Sequence, residues 1–218
     1  MQYTKLCVLC LIISSYIFAQ HVPMLIYKKD IIEKESTYIR DKNIYTLKTK
    51  GIAIHNDFYY DNELTIEYQI FKNGLELDNN IIYSKCDYIN GGPFNNWYDI
   101  ELIKDKDVFG WIIYSGGICG NTFSYNAEMI FPSNINNKCF KKNITPKSKP
   151  ILNQSDNGIN IYYLFQEWNW GGTATSAFIP QKITFDSKKN TLENIPISID
   201  DLRKVKFTVY GKEMIVQD

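Results

Sequence analysis

The stretch ELTIEYQIF, Glu63–Phe71, decides the fold. Every second residue from Leu64 to Ile70 is apolar, and a period of two residues is that of a half-buried β-strand. The tripeptide KNG follows, in which Asn73 or Gly74 supplies the positive φ that a tight turn needs. The next run, LELDNNIIYS, therefore predicts the returning strand of an antiparallel hairpin.

The same alternation recurs along the rest of the chain. It predicts further strands at Trp97–Ile103, Val108–Ser115, Thr122–Phe131, Ile159–Trp168, Thr173–Ile179 and Lys182–Asp186. In the third of these, aromatic and apolar residues lie on one face, and Ser124, Asn126 and Glu128 lie on the other. Turn signals separate these short strands, so we expect an all-β fold, a mostly antiparallel sandwich or open barrel.

Helix is scarce, and we expect one or two short helices. In SIDDLRKV, Ser198–Val205, Ser198 occupies the N-cap and Asp201 the position of a capping-box acid. A second candidate is KKDIIEKES, Lys28–Ser36. The segment Lys141–Gly158 has two prolines and few apolar residues, which predicts a long surface connection. The C-terminal VKFTVYGKEMIVQ predicts two short strands about a Tyr-Gly-Lys turn.

Two stretches of the chain share an order of features. IIYSGGICGNTFSYNAEMIFP and LFQEWNWGGTATSAFIPQKITF each have an aromatic strand, a Gly-Gly pair, a Thr/Ser-rich strand start and a proline. The pattern permits two related half-sheets, joined by residues 141–158, within a single domain over residues 20–218. It does not require a duplication, because β proteins reuse glycine turns freely.

The first nineteen residues have the pattern of a secretory signal peptide. Lys5 gives a positive start, an apolar run of about a dozen residues follows, and Ala19 is a small residue at the position of cleavage. The ending FAQ is typical of signal peptides from Gram-negative bacteria. An uncleaved anchor is the alternative, but the run is short for a membrane span. We therefore expect an exported protein, periplasmic or extracellular, with no membrane span in the mature chain.

Charge and composition exclude some partners. Residues 20–218 carry 23 basic and 24 acidic side chains, because Lys5 is the only charged residue in the signal peptide. A chain without a basic excess or a basic stripe is not expected to bind nucleic acid. Aromatic residues make up 15% of the chain, which suits large amphipathic side chains on sheets.

Three cysteines remain once the signal peptide is removed: Cys86, Cys119 and Cys139. An oxidising compartment favours disulfides, and an odd number leaves one thiol over. We prefer the pair Cys119–Cys139, because both flank one strand and its following loop, and Cys86–Cys119 is the alternative. Cys119 lies in the glycine-rich SGGICGN, which we interpret as a tight turn and not a phosphate loop, since it lacks the required lysine.

A catalytic interpretation of Cys119 needs a base. His55 is the available histidine, with Asp57 to orient it, and nothing in the local sequence supports a nucleophile. No cofactor is implied. We expect no metal site either, since Asp57, Asp61 and Glu63 lack the spacing of a calcium loop.

Four carboxylates lie on predicted strands, and hydrolysis of a glycosidic bond needs a pair of them. Asp99 and Glu101 share one strand face, and Glu128 and Glu167 lie on others. Solvated acids at alternating positions are ordinary in β proteins, so we interpret all four as surface residues.

The best functional lead is QEWNWGGT, in which Trp168 and Trp170 share a strand face. An exposed pair of indoles forms a flat platform for a sugar ring or a partner's loop, to which Trp97 and Trp111 would add. The alternative is that these large aromatics are core.

These features favour a non-enzymatic binding module that acts on an extracytoplasmic protein, in an inhibitor or immunity-type role, or on a glycan. Two alternatives remain open. One is a secreted hydrolase that depends on a cysteine, Cys119 with His55, or on carboxylates. The other is a structural component of the cell surface.

Overall fold

The computed structural model describes residues 28–55, 62–86, 98–104, 108–119, 122–133, 137–155, 157–169, 175–209 and 212–213. Within them the chain is mostly antiparallel β-sheet, as the periodicity predicts. Three four-stranded sheets are meanders, in which each strand pairs with the next along the chain.

The strands of the three sheets are named in chain order. Sheet A contains β1 (Lys28–Arg40), β2 (Asn43–His55), β3 (Asn62–Lys72) and β4 (Leu75–Cys86). Sheet B contains β5 (Tyr98–Lys104), β6 (Phe109–Cys119), β7 (Thr122–Pro132) and β8 (Cys139–Ile144). Sheet C contains β9 (Ile151–Ser155), β10 (Gly158–Asn169), β11 (Thr175–Asp186) and β12 (Thr191–Ile195). Helix α1 (Ile199–Lys204) and a small hairpin, β13 (Thr208–Val209) and β14 (Lys212–Glu213), follow.

The three sheets stack face to face, with sheet B in the middle. One core joins sheets A and B around Leu47, Ile66 and Trp111. A second core joins sheets B and C, where the rings of Phe131 and Phe185 stack 4.4 Å apart. Sheet B is thus buried on both faces, which explains why WIIY in β6 is apolar without alternation.

Successive sheets have the same orientation. Phe109 at the start of β6 packs on Tyr38 and Tyr45, near the β1–β2 turn. Tyr98 at the start of β5 packs on Gly51, where a Cβ would overlap its ring. Consequently β6–β7 and β10–β11, which contain the two similar sequence stretches, are equivalent hairpins of neighbouring sheets, and β2–β3 is their counterpart in sheet A.

The β3–β4 hairpin forms as its sequence predicts. Asn73 and Gly74 both have positive φ, 52° and 81°, as a two-residue hairpin turn of the right twist requires. The Asn73 side chain also accepts a 2.8 Å hydrogen bond from the backbone of Ile44, so the turn is tied to the neighbouring hairpin.

The prediction of a helix at Lys28–Ser36 is wrong. The segment lies in β1, and all thirteen residues of that strand pair with β2. The sequence lacks the apolar alternation of a half-buried strand, because two of the residues that face sheet B are the polar Lys34 and Ser36. Both have partners there: Lys34 Nζ donates to Asp99 at 2.9 Å, and Ser36 Oγ accepts from Trp111 Nε1 at 2.9 Å.

The prediction that Lys141–Gly158 is a surface connection is also wrong. The segment includes the end of β8 and all of β9. Between them Pro146, Ser148 and Pro150 are buried, and the backbone nitrogen of Lys147 donates to the carbonyl of Leu164 at 2.8 Å. A composition rich in proline and polar residues is typical of a surface loop, but here these residues pack beside β10.

Helix α1 has the predicted capping box. The Ser198 side chain accepts from the backbone nitrogen of Asp201, and the Asp201 carboxylate accepts from that of Ser198. A small core joins the outer face of sheet C to Val205, Phe207 and the partly buried Leu202. Among the described residues, no helix is long and apolar enough to cross a membrane.

Candidate functional site

A cleft opens between sheets A and B, at the edge formed by β4 and β8. Its volume is about 450 Å³. We call it the A/B cleft and define it by Asn80, Ile82, Asn126, Glu128, Lys141 and Asn143. Asn80, Lys141 and Asn143 are exposed at the mouth, whereas Ile82 and Glu128 are buried.

The base of the A/B cleft holds a buried carboxylate. Glu128 lies in the middle of β7 and is only 5% exposed. The Tyr68 hydroxyl donates to its Oε1 at 3.3 Å across the two sheets. Burial raises the pKa of Tyr68 and the charge of Glu128 raises it further, so the tyrosine remains a proton donor.

Two further polar groups lie next to Glu128, one of them in the lining of the cleft, and neither has a hydrogen-bond partner among the described residues. Ser115 on β6 and Asn126 on β7 are directly opposite in register, and no described group bonds to Ser115 Oγ or Asn126 Oδ1, both fully buried atoms. An unpaired buried polar group costs about 1–3 kcal/mol. The polar part of this interface is therefore suited to a molecule that brings hydrogen-bond donors.

An ion pair borders the cleft. Lys141 Nζ on β8 lies 3.1 Å from the Asp78 carboxylate on β4. The ion pair links sheets A and B, and the Asp78 carboxylate neutralises the charge of Lys141. Among the described residues that line the cleft, Glu128 is thus the one acid.

The sequence placed Glu128 on a solvated face, which is wrong. The alternation along β7 is correct: Ala127 and Met129 face sheet C, while Glu128 faces sheet A. Both faces of sheet B are covered, so neither side of β7 meets solvent. The signal was present in the neighbouring WIIY, since a strand that is apolar on both faces lies inside a stack.

The other candidate acids differ from Glu128. Asp99 pairs with Lys34 at 2.9 Å. The Glu101 carboxylate accepts from the Tyr114 hydroxyl at 3.1 Å and pairs with Lys149 at 2.9 Å. Burial raises the pKa of Tyr114, as does the charge of Glu101. These contacts stabilise the packing of β5 against neighbouring elements. The side chain of Glu167 lies outside the described residues.

The tryptophan platform falls largely outside the described part of the chain. Trp97 and Trp170 lie outside it, and Trp168 is described only as a strand residue opposite Ser176. Trp111 is not part of a platform: it is completely buried between sheets A and B. Trp168, Trp170 and Trp97 therefore remain a predicted binding surface.

The preferred disulfide Cys119–Cys139 is incompatible with the fold. Cys119 is opposite Thr122 and Cys139 is opposite Pro132, at the two ends of β7. Ten residues of strand span about 33 Å, whereas a disulfide needs Cα atoms within about 7 Å. Cys139 is a free thiol, and burial, with the charge of Asp78 adding to it, raises its pKa to about 12.

The alternative pairs of Cys119 lie at one end of the stack. Strands β2, β4 and β6 end there at His55, Cys86 and Cys119. The Tyr98 ring packs on Gly51, and Tyr98 is opposite Ser115, so Gly51 of β2 and Ser115 of β6 are at the same height in the stack. His55 and Cys119 each lie four residues further along their strands. The side chains of His55, Cys86 and Cys119 are outside the described part. The Cys86–Cys119 disulfide and the Cys119–His55 pair both remain predictions.

The candidate metal ligands are divided. Asp57 and Asp61 lie outside the described residues, and Glu63 lies on β3. Within the described ranges, no three His, Cys, Asp or Glu residues cluster as metal ligands would.

Comparisons of the chain with models of protein families, with curated proteins and with solved structures gave no match. The assignment of a function therefore depends on the geometry of the A/B cleft.

Proposed function

We propose that the protein is an exported, non-enzymatic binding module whose A/B cleft accepts a sugar unit of a glycan. One observation carries the proposal: Glu128 is a buried carboxylate beside Ser115 and Asn126, whose buried oxygens bond to no group in the described part of the chain. The signal-peptide pattern of residues 1–19 supports a ligand outside the cytoplasm.

The chemistry of the cleft suits a polyhydroxylated ligand. Sugar hydroxyls are donors, and the Glu128 carboxylate and the Asn126 carbonyl oxygen are acceptors. Asn80 and Asn143 at the mouth offer both donors and acceptors. A volume of about 450 Å³ lies within the range of small-molecule sites, about 300–1,000 Å³.

The same lining favours binding over hydrolysis. Hydrolysis of a glycosidic bond uses two carboxylates on opposite sides of that bond. Among the described lining residues Glu128 is the one carboxylate, and the neighbouring Asp78 is paired with Lys141. Glu128 is therefore assigned to ligand binding.

The test is calorimetric titration of the mature chain, residues 20–218, with a panel of neutral oligosaccharides. We expect binding by the wild type and at least a tenfold loss in Glu128→Gln, since an amide replaces the charged acceptor. The melting temperature should not fall, because the substitution is isosteric and removes a buried charge. Glu67→Gln, at an exposed position of sheet A, is the matched control.

Two results would contradict the proposal. Equal glycan affinity of Glu128→Gln and wild type would place the ligand elsewhere, with the predicted Trp168 surface as the next candidate. Turnover of an oligosaccharide that stops in Glu128→Gln would make the protein a hydrolase. Export is checked separately by the N-terminus of the protein from expressing cells, which we expect at Gln20.

A further inference from the structure

The two ends of the three-sheet stack differ. The outer face of sheet C packs against Leu202, Val205 and Phe207. No described residue covers the outer face of sheet A as α1 covers sheet C, and five of the nine exposed large hydrophobic residues in the described part of the chain lie on it. They are Ile31, Ile39, Ile44, Ile81 and Tyr83, between 48% and 67% exposed. A sheet face that exposes this many large apolar side chains marks an interaction surface.

Charged residues form the middle of this outer face. One row across the four strands reads Glu33, Lys50, Glu67, Ile81, and the next reads Glu35, Lys48, Gln69, Asn79. The row Ile31, Ile52, Thr65, Tyr83 lies on one side of them. Any partner must therefore match both an apolar row and an alternation of charge.

A second copy of the chain meets this requirement in one orientation. A two-fold axis parallel to the strands places β1 over β4 of the other copy and β2 over its β3, with the rows aligned. Lys50 then faces Glu67 of the other copy, twice by symmetry, and Ile31 faces Tyr83. Glu35 faces Asn79, so no like charges meet in these rows.

The perpendicular two-fold axis fails on charge. It keeps each strand over its own copy and exchanges the two charged rows. Glu33 then faces Glu35 on β1, and Lys50 faces Lys48 on β2, so like charges oppose each other on two of the four strands. Like charges placed directly opposite are unfavourable, and interfaces select against them.

We propose that two copies of the protein associate through the outer face of sheet A, about a two-fold axis parallel to its strands. The outer face of sheet A, taken as nine residues along each of four strands, has an area of roughly 600 Å² per copy, given about 3.3 Å per residue and about 4.8 Å between strands. Two copies thus bury about 1,200 Å², the lower limit of a specific interface. Interfaces near this limit include those of weak, transient complexes, so we expect a reversible dimer.

The shape of the face is compatible with this arrangement. A depression of about 640 Å³ lies over the charged rows. The long side chains of Lys48 and Lys50 from both copies extend into this space, and water fills the remainder, as in most polar interfaces. The apolar row at Ile31 and Tyr83 closes one side.

Sedimentation velocity of the mature chain over a wide concentration range tests the proposal. We expect a monomer–dimer equilibrium in the wild type. Ile31→Lys should weaken association at least tenfold, because it places a charge opposite Tyr83. Ile199→Lys is the matched control: Ile199 is 63% exposed but lies on α1, at the other end of the stack. It should associate like the wild type.

A charge exchange identifies the axis. Lys50→Glu should weaken association, and Lys50→Glu/Glu67→Lys should restore it, because the exchange preserves the pair of opposite charges between copies. Stronger association of Lys50→Glu would instead indicate the perpendicular axis and overturn the proposed geometry. A monomer at every concentration, or equal weakening by Ile199→Lys, overturns the interface. Melting curves of each variant confirm that the fold is retained.

Discussion

Sheets A and C are both four-stranded antiparallel meanders, and each covers one side of sheet B, yet their outer faces differ. The outer face of sheet C packs against Val205 and Phe207, which follow α1, and against the partly buried Leu202 of the helix. The outer face of sheet A meets solvent with exposed isoleucines such as Ile39 and Ile81. In a stack of repeated units, terminal units with a polar outer face keep the array soluble. The described residues supply such a cap at the sheet C end only.

The capped end is also held by polar contacts. Asp201 on α1 accepts from the Tyr162 hydroxyl at 2.7 Å, and from Lys182 at 3.1 Å. Burial raises the pKa of Asp201, but hydrogen bonds from Tyr162, Ser198 and Lys182 outweigh that effect and hold the pKa well below its usual range. The cap thus combines an apolar contact with a charged anchor, and the open end of the stack has no equivalent among the described residues.

The largest expected effect comes from the apolar part of the cap. Phe207→Ala should lower the free energy of unfolding by about 3–5 kcal/mol, because Phe207 is 1% exposed and its removal leaves a cavity. Ile39→Thr on the outer face of sheet A, where Ile39 is 67% exposed, should change it by less than about 0.5 kcal/mol at a protein concentration that keeps the chain monomeric. Urea unfolding followed by circular dichroism measures both.

Equal losses of stability at Phe207 and Ile39 would remove the distinction between the two ends. A large loss at Ile39 alone would mean that the outer face of sheet A is covered within one copy. That result would also count against the proposed dimer, in which this face contacts the second copy.

The second effect concerns the charged anchor and depends on pH. Asp201→Asn should lower stability by about 1–2 kcal/mol at pH 6, because hydrogen bonds to a charged acceptor are lost. Since the folded pKa of Asp201 is lowered, its stabilisation is complete above the unfolded value of about 3.9 and is lost as pH falls towards the folded value. Wild type and variant should converge as the pH is lowered from 5 to 2.

The contribution of Tyr162 to the free energy of unfolding has the opposite dependence on pH and is lost at alkaline pH. Burial raises its pKa to about 12, with the hydrogen bond and charge of Asp201 adding to the shift. The stabilisation is complete below the unfolded value of about 10 and is lost as pH rises through the folded value.

For Asp201, the contradicting result is a difference in unfolding free energy between wild type and Asp201→Asn that stays constant from pH 5 to pH 2. It would show that the carboxylate does not anchor the cap.

The difference between the sheets also explains how much of the fold could be predicted. Glu63–Phe71 lies in sheet A, where one face meets solvent, so apolar and polar residues alternate cleanly. Lys28–Ser36 lies in the same sheet, but Lys34 and Ser36 face inward and find polar partners on sheet B. No local pattern reveals such a partner, because it lies more than sixty residues away in the sequence.

The candidate site could be predicted only in part. The alternation along β7 correctly separates Glu128 from Met129, but it does not show what covers each face. That depends on the stacking of sheet A on sheet B, which brings Tyr68 to Glu128. The apolar run WIIY was the one local indication that sheet B is internal, and it implied that the acid on β7 is buried.

The smallest effect tests the start of α1. Ser198→Ala removes the side chain that accepts from the backbone nitrogen of Asp201 and donates to its carboxylate. The loss of an N-cap costs about 1 kcal/mol. Ser198→Asp should recover less than usual, because a second carboxylate would lie beside Asp201. Thermal unfolding of Ser198→Ala and of Phe207→Ala ranks the parts of the cap: if Ser198→Ala is the more damaging, the helix and not its apolar contact holds this end of the stack.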